Sequence, residues 1–516
     1  MPEHLLRYIF LPVWQNIAKG VVPMERCRQT AGQPHPLPEP RWNQPLTADG
    51  LQAVYSENGD FRRRTVGAGT WKLTLCYIEG LVRLERVSDY ILRPLAQDGR
   101  LAGASREELP KLLQNSVLYN VVTQPCDSMD KVVADLTMGW CVLFLPGGEA
   151  LTLFVGAEDR RSVAEPDNEP VVKGARDSFV ENLRANTAMV RRRVRVPELR
   201  MKEYTVGRQS LTAVDVLWME GIADPGTVER VKKRIDSMDI DGIRAAGDLE
   251  EYLSDRTDTA FPLSFATQRP DRFCGGLLAG RVGVLCEGQS VGWLLPGTVD
   301  CFFGAMQDRT GGWITATGLR LLRYVCMFVT LLLPGLYVAL VTYQPEVIPV
   351  RLAQSIVRAK QQVPFSTLFE VLIMLIAFEV LQEAGLRLPG PIGQTVSILG
   401  GLVVGSAAVE AKIVSPAVLI AVALAGIAGY TVPVQDFANA LRLWRFGFVL
   451  AAGAAGLAGL VLGGAVLTHH LAGLESFGVP YLAPFVTGEG GVLRKPLPKD
   501  VFRRGIPRWR NRRRQR

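Results

Sequence analysis

Histidine is scarce in this chain, and charge is missing altogether from four long stretches of its second half. The only histidines are His4, His35, His469 and His470. The last two are neighbours, and adjacent helical residues point apart, so they make a poor joint metal site. The eight cysteines (27, 76, 126, 141, 274, 286, 301 and 326) contain no CxxC pair and no zinc spacing with histidine. Several lie in apolar runs, which reads as buried reduced thiols. No GxxxxGK[ST] and no HExxH occurs. Gly288-Gln289-Ser290-Val291-Gly292 spells GxSxG, but a strand-like run follows it. A nucleophile elbow needs a helix there and a histidine base, so the segment reads as a hairpin turn. These absences argue against an enzyme, and no cofactor or metal is expected.

The 516 residues leave room for more than one core. Lys and Arg outnumber Asp and Glu by 58 to 50, a net charge of +8. Eleven of those cations fall between Arg494 and Arg516. No aromatic-basic interleaving accompanies them, so nucleic acid is not expected; anionic membrane lipids are the better partner for such a tail. No signal peptide is evident at the start, which places the soluble half in the cytoplasm as an expectation.

The predicted organisation is an α/β cytoplasmic region of two similar subdomains followed by an all-α polytopic membrane domain. Residues 1–60 read as a flexible segment ending in a Pro-rich linker, with ordered structure starting near Phe61. A first α/β subdomain covers 61–159, a charged helical connector 160–205, and a second subdomain 206–315. The membrane domain takes 316–475 and a basic tail 476–516. The two subdomains echo each other. Strand-like Lys72–Ile78 ends in Glu79-Gly80, and Leu211–Met219 ends in Glu220-Gly221. Pro146-Gly147-Gly148-Glu149 and Glu287-Gly288 each sit between two apolar runs, as hairpin turns do. The Arg191-Arg192-Arg193 run in the connector reads as a solvated helix end.

Four stretches without charge, Tyr324–Pro345, Leu388–Val409, Ile413–Gln435 and Phe446–Leu474, are each about long enough to span a bilayer. Four spans place both chain ends on one side, and Arg309, Arg320, Arg323 and the basic tail make that side cytoplasmic. Arg351, Arg358 and Lys360 then fall on the wrong side. A fifth apolar segment, Phe365–Ala384, carries Glu370, Glu379 and Glu383. It is either an interfacial or re-entrant helix or a lining of an ion path. Glu379 and Glu383 share a helical face, Arg387 stands four residues beyond Glu383, and Glu370 falls on the opposite side. Gly401-x3-Gly405 and Gly459-x3-Gly463 fit close helix packing.

A set of ordered short runs resembles the A subunit of GerA-type spore germinant receptors. They include Val172–Glu181 (VKGARDSFVE), Tyr204–Arg208 (YTVGR), Met238–Gly242 (MDIDG) and Gln268-Arg269-Pro270-Asp271. Leu319–Tyr324 (LRLLRY), Glu346–Pro349 (EVIP), Phe378–Pro389 (FEVLQEAGLRLP) and Ser476–Pro484 (SFGVPYLAP) follow in sequence. Gln344, Gln268, Glu410 and Lys412 depart from the family pattern. The resemblance implies a multi-pass protein of the spore inner membrane, acting as a homo-oligomer with a permease-like B subunit and a lipoprotein C subunit. It further implies a signalling and ion-conducting role; the charges read above in the fifth apolar segment, Glu370, Glu379 and Glu383, and Arg387 after it are the candidates for the path or gate. A SpoVAF-like amplifier of germination and a solute transporter are the alternatives.

Overall fold

The computed structural model describes residue 42 and residues 44–156, 169, 174–305, 307–310, 312–387 and 405–486. The first helix among the described residues, α1 (Ala48–Val54), starts ahead of the expected boundary near Phe61. Its N-cap Thr47 accepts a hydrogen bond from the Gly50 amide, and Leu51, Val54 and Tyr55 are buried. Charge and proline had disguised a short capped helix as linker.

β1 (Phe61–Ala68) and β2 (Trp71–Ile78) pair as a hairpin through Gly69, whose φ of 61° only glycine adopts freely. β3 (Thr123–Cys126), α2 (Met129–Thr137), β4 (Trp140–Phe144) and β5 (Ala150–Phe154) complete a five-stranded antiparallel sheet in the order β1-β2-β4-β5-β3. Ser128 caps α2 by accepting from the Lys131 amide. Pro125 sits on the outermost strand β3, where a missing N–H donor is harmless.

The connector folds as α3 (Leu183–Arg193), capped by Asn182, and the second subdomain then repeats the first. β6 (Leu199–Val206), β7 (Thr212–Met219), α4 (Pro225–Asp236), β8 (Phe265–Thr267), α5 (Pro270–Leu278), β9 (Val282–Cys286) and β10 (Gly292–Leu295) follow in order. The sheet order, β6-β7-β9-β10-β8, is that of the first sheet strand for strand. A helix precedes the fourth strand in both, and Gly80 and Gly221 close β2 and β7 at φ 86° and 78°. The GxSxG segment is the turn between β9 and β10, which pair antiparallel.

Arg191 binds the two halves together, and the solvated reading of it is wrong. Its guanidinium is 2% exposed and grips Asp60 through Nε at 2.7 Å and a terminal nitrogen at 2.9 Å. It also donates to Asn58 Oδ1 and to the Leu199 carbonyl. The Gly59 amide donates to the Met201 carbonyl, so the chain entering β1 extends the edge of β6. Beside this clasp, β7 buries Asp215 completely, with Arg184 Nη1 3.5 Å away and no hydrogen bond to either oxygen. Burial outweighs the guanidinium and pushes this carboxyl up to about 7.

The remaining described elements form a helical bundle. α6 (Trp313–Thr342) is 30 residues long, about 45 Å. Then come α7 (Val350–Lys360), α8 (Thr367–Arg387), α9 (Pro416–Gly429) and α10 (Gln435–Gly473). Among the described residues, α6 and α10 are long and apolar enough to cross a membrane. α9 has only 14 helical residues within the stretch Ile413–Gln435. Most of Leu388–Val409 lies outside the described residues.

The last uncharged stretch, Phe446–Leu474, is not one straight span. Ala455 (φ −138°, ψ 16°) and Gly456 (φ 61°, ψ −138°) break α10. The chain then doubles back: the Trp444 and His470 rings are 5.5 Å apart, though 26 helical residues would separate them by about 39 Å. Small residues let the two arms touch. A Cβ on Gly459 would meet the Ala451 carbonyl at 1.9 Å, and one on Gly463 the Phe448 ring at 3.3 Å. The Tyr343 hydroxyl, just past α6, donates to the Gly453 and Ala454 carbonyls at 2.7 and 3.1 Å. It partners backbone groups beside the break.

Both ends of the bundle's polypeptide meet the second subdomain. At entry, Phe303 stacks on Tyr324 at 4.4 Å, and Arg323 holds Asp308 through contacts of 2.6 and 2.9 Å. At the start of α10, Phe437 stacks on Phe302 at 5.4 Å. After α10, residues 475–486 do not begin a free tail. β11 (Glu475–Ser476) and β12 (Val479–Pro480) form a small hairpin, with Ser476 Oγ donating to the Leu263 carbonyl and accepting from the Gly297 amide. Phe477 is buried among side chains of the second sheet.

Two outcomes follow. Gly456→Ala, strained at positive φ and pressed 3.0 Å from Tyr343, lowers the stability of the detergent-purified chain, while Ala454→Gly stays within about 1 kcal/mol; thermal unfolding compares them. The Asp215 carboxyl keeps a proton that the unfolded chain, with its ordinary carboxylate pKa, releases. Its favourable contribution is therefore complete below about pH 4 and is lost as pH rises through about 7. Asp215→Asn flattens the fall in melting temperature between pH 5 and 8; an unchanged slope refutes the assignment.

Candidate functional site: carboxylates within the bundle

α8 is apolar apart from Thr367, Gln382, Arg387 and its three acids, and an acid that turns inward must find a partner inside the bundle. Glu370, in the first turn, is fully buried. Its Oε2 accepts from the Ser415 amide at 2.9 Å, at the start of α9. A carboxylate there satisfies an orphan donor and meets the positive end of the helix dipole. Its Oε1 has no hydrogen-bond partner. Glu379 faces another neighbour: it forms an ion pair with Arg445 of α10, a guanidinium only 3% exposed. Glu370 and Glu379 thus point to different helices, as nine residues of α-helix dictate.

The same pairings fix the direction of α8. Leu368, at its start, packs against Gly453 near the tip of the α10 hairpin, and Glu379 meets Arg445 eight residues closer to the second subdomain. α8 therefore runs from the far end of the bundle back toward the subdomain. Glu383 is exposed on the last turns of α8. Arg387 ends the helix, but its side chain lies outside the described residues, as does the expected Glu383–Arg387 pairing.

The glycines divide similarly. Gly401 lies outside the described residues. Gly405 faces Leu419 of α9 at 3.2 Å, while Gly459 and Gly463 serve the hairpin just described. A fourth close approach escaped the sequence reading: Gly335, beside Pro334 inside α6, lies 3.1 Å (Cβ position) from the Phe448 carbonyl.

Arg445 and Asp308 are the ionic partners that sequence reasoning missed. Arg445 stands immediately before the uncharged run that begins at Phe446, and so was left outside it. Asp308 lies in a short polar stretch where one more acid draws no notice, yet it is 1% exposed and receives Arg323. Among the described residues no cluster of three or more metal-binding side chains occurs.

Comparison with known proteins follows the same boundaries. The family described as Bacillus/Clostridium GerA spore germination protein matches residues 49–516. "Uncharacterized membrane protein YfkQ" of Bacillus subtilis (strain 168) is 37% identical over 90% of this chain and 88% of its own length. Spore germination protein KA of that organism is 36% identical, covering 80% of this chain and 75% of its own. Spore germination protein B1 is 34% identical over 86% of this chain and 92% of its own. The crystal structure of the N-terminal domain of the A subunit of the Bacillus megaterium spore germinant receptor GerK3 matches 49% of this chain and 94% of its own, at 25% identity and a TM-score of 0.39. With a family match over residues 49–516, this protein belongs to the GerA family of spore germination proteins.

Proposed function

We propose that this chain is the A subunit of a nutrient germinant receptor in the spore inner membrane, a non-enzymatic signalling component through which ions leave when germination is triggered. Family membership supports the germination role. The observation that carries the membrane reading is the path of the chain through the bundle. It leaves the second subdomain at Arg323, returns to it at Phe437, leaves again along the first arm of α10 and comes back at Leu474. Large apolar side chains on the outside of these helices stay exposed, Phe328 at 54% and Val461 at 72%. A sheath of that kind suits a hydrocarbon surround.

In this reading the chain makes an even number of crossings. The fifth apolar segment is a crossing too, and the α10 hairpin supplies the extra pass that keeps the basic tail on the cytoplasmic side. The carboxylates divide in role. Glu370 positions α9 by capping it. Glu379, with Arg445 as counter-ion, and the exposed Glu383 are the candidates to face an ion path formed between copies of the chain. A permease-like B subunit and a lipoprotein C subunit complete the receptor.

Spores carrying Glu379→Gln are expected to release cations several-fold more slowly after nutrient addition once release is normalised to the amount of the protein, which itself falls because buried Arg445 loses its counter-ion. Arg445→Gln, which leaves the partly exposed Glu379 carboxylate without its counter-ion, lowers abundance less than Glu379→Gln does and leaves the normalised release unchanged. Unchanged release from Glu379→Gln spores sinks the ion-path role of this residue. For the receptor assignment, an affinity-tagged chain extracted from spore membranes should bring down a permease-like and a lipoprotein partner. Recovery of the chain with neither, from spores whose nutrient response survives its deletion, excludes the A-subunit reading.

A further inference from the structure

α7 is the most amphipathic of the bundle's helices, yet most of its apolar face has nothing on it. Val350, Ala353 and Val357 recur at three- and four-residue spacing along one side. Val350 is 71% and Val357 53% exposed, while Ile356 alone is buried against the protein. Val347, in the turn before the helix, is 63% exposed on the approach to that side. Arg351 and Arg358 lie on the adjoining polar face, and both are exposed.

The position of α7 says what covers this face. It joins the far end of α6 to the start of α8, and α8 runs back toward the second subdomain. α7 therefore lies at the end of the bundle remote from the α/β subdomains. Its 11 residues reach only about 16 Å, too short to cross a bilayer. An open groove of about 580 Å³ lies beside it, lined by the apolar Ile348, Val350 and Val357 and by the polar Gln354, Arg358 and Glu346, the last a carboxylate that leaves the phosphate to the arginine side. Apolar side chains below a guanidinium match a phospholipid, acyl chain beneath phosphate. The helices before and after it in the chain also carry exposed apolar side chains, Phe328 on α6 and Ile376 on α8 among them.

We infer that α7 is an interfacial helix that lies in the far leaflet and binds anionic phospholipid, with Val350 and Val357 among the acyl chains and Arg351 and Arg358 at the phosphates. The inference rests on the membrane reading above. It also accounts for cations on the side of the bundle where the usual charge asymmetry disfavours them: on a surface helix they stay at headgroup depth and never cross.

The test uses the full-length chain in nanodiscs of phosphatidylcholine with phosphatidylglycerol. Single cysteines bearing a nitrobenzoxadiazole probe replace Val350, Val357, Ser355 on the polar face, and Phe328 on α6, in a background without native cysteines. Spin-labelled lipid should quench the probes at 350 and 357 at least twofold more than the probe at 355. Quenching at 328 without quenching at 350 and 357 overturns the inference and leaves the membrane reading intact. No quenching at 328 overturns both. Should the cysteine-free background fail to fold, photoactivatable phosphatidylglycerol on the unmodified chain serves instead. Adducts are expected in 345–360, reduced at least twofold by Arg351→Glu with Arg358→Glu; absence of adducts there, with adducts on α6, refutes the assignment.

Discussion

The bundle depends on being fastened, repeatedly, to one side of one subdomain. Phe303 against Tyr324, Phe302 against Phe437, Phe261 beside Trp444 and His470, and the strand pair after α10 all belong to this junction. Its aromatic surfaces merge with the core of the second sheet, so the bundle and subdomain share one hydrophobic cluster. The polar groups are equally committed: Asp308 and Arg323 neutralise each other where neither could be buried alone. With entry and return fixed, the helices between are obliged to come back, and their directions follow from that obligation.

The duplication gives the two halves equal architecture and unequal burdens. Both sheets have the same strand order, but only the second continues into the bundle. The first keeps a self-contained core and reaches the rest through the Arg191–Asp60 clasp and the edge of β6. Arg191 is held at four points, which is why a cation in a run of three arginines can be buried at all.

Much of the α/β half was legible because strands and turns are local. Glu79-Gly80 and Glu220-Gly221 carried their own positive-φ turn chemistry, and the hairpins around Gly148 and Gly288 followed from short apolar runs on either side. The fold of the bundle was less legible. Hydropathy sees Phe446–Leu474 as uniform, and nothing nearby distinguishes Gly456 from Gly453 or Gly459. The group that serves the break is Tyr343, 110 residues earlier. Likewise, Glu379 is visible as an acid in an apolar run, but its meaning depends on Arg445, 66 residues away. Long-range partners of this kind leave no periodicity to read.

The hairpin tip and the junction differ in the kind of contact that holds them. At the subdomain end, stacked rings, a buried ion pair and paired strands tie three helix ends to a common base. At the opposite end, the α10 tip is held by the Tyr343 hydroxyl on two carbonyls, by the Tyr343 side chain against Gly456 and by Leu368 against Gly453. Between the two ends the arms pack on α6, where Gly335 meets Phe448 and Leu460, so base, arms and tip form one continuous column. Displacement grows with distance from a turning base, so a rotation of the second subdomain carries such a column furthest at the tip, where the tyrosine sits.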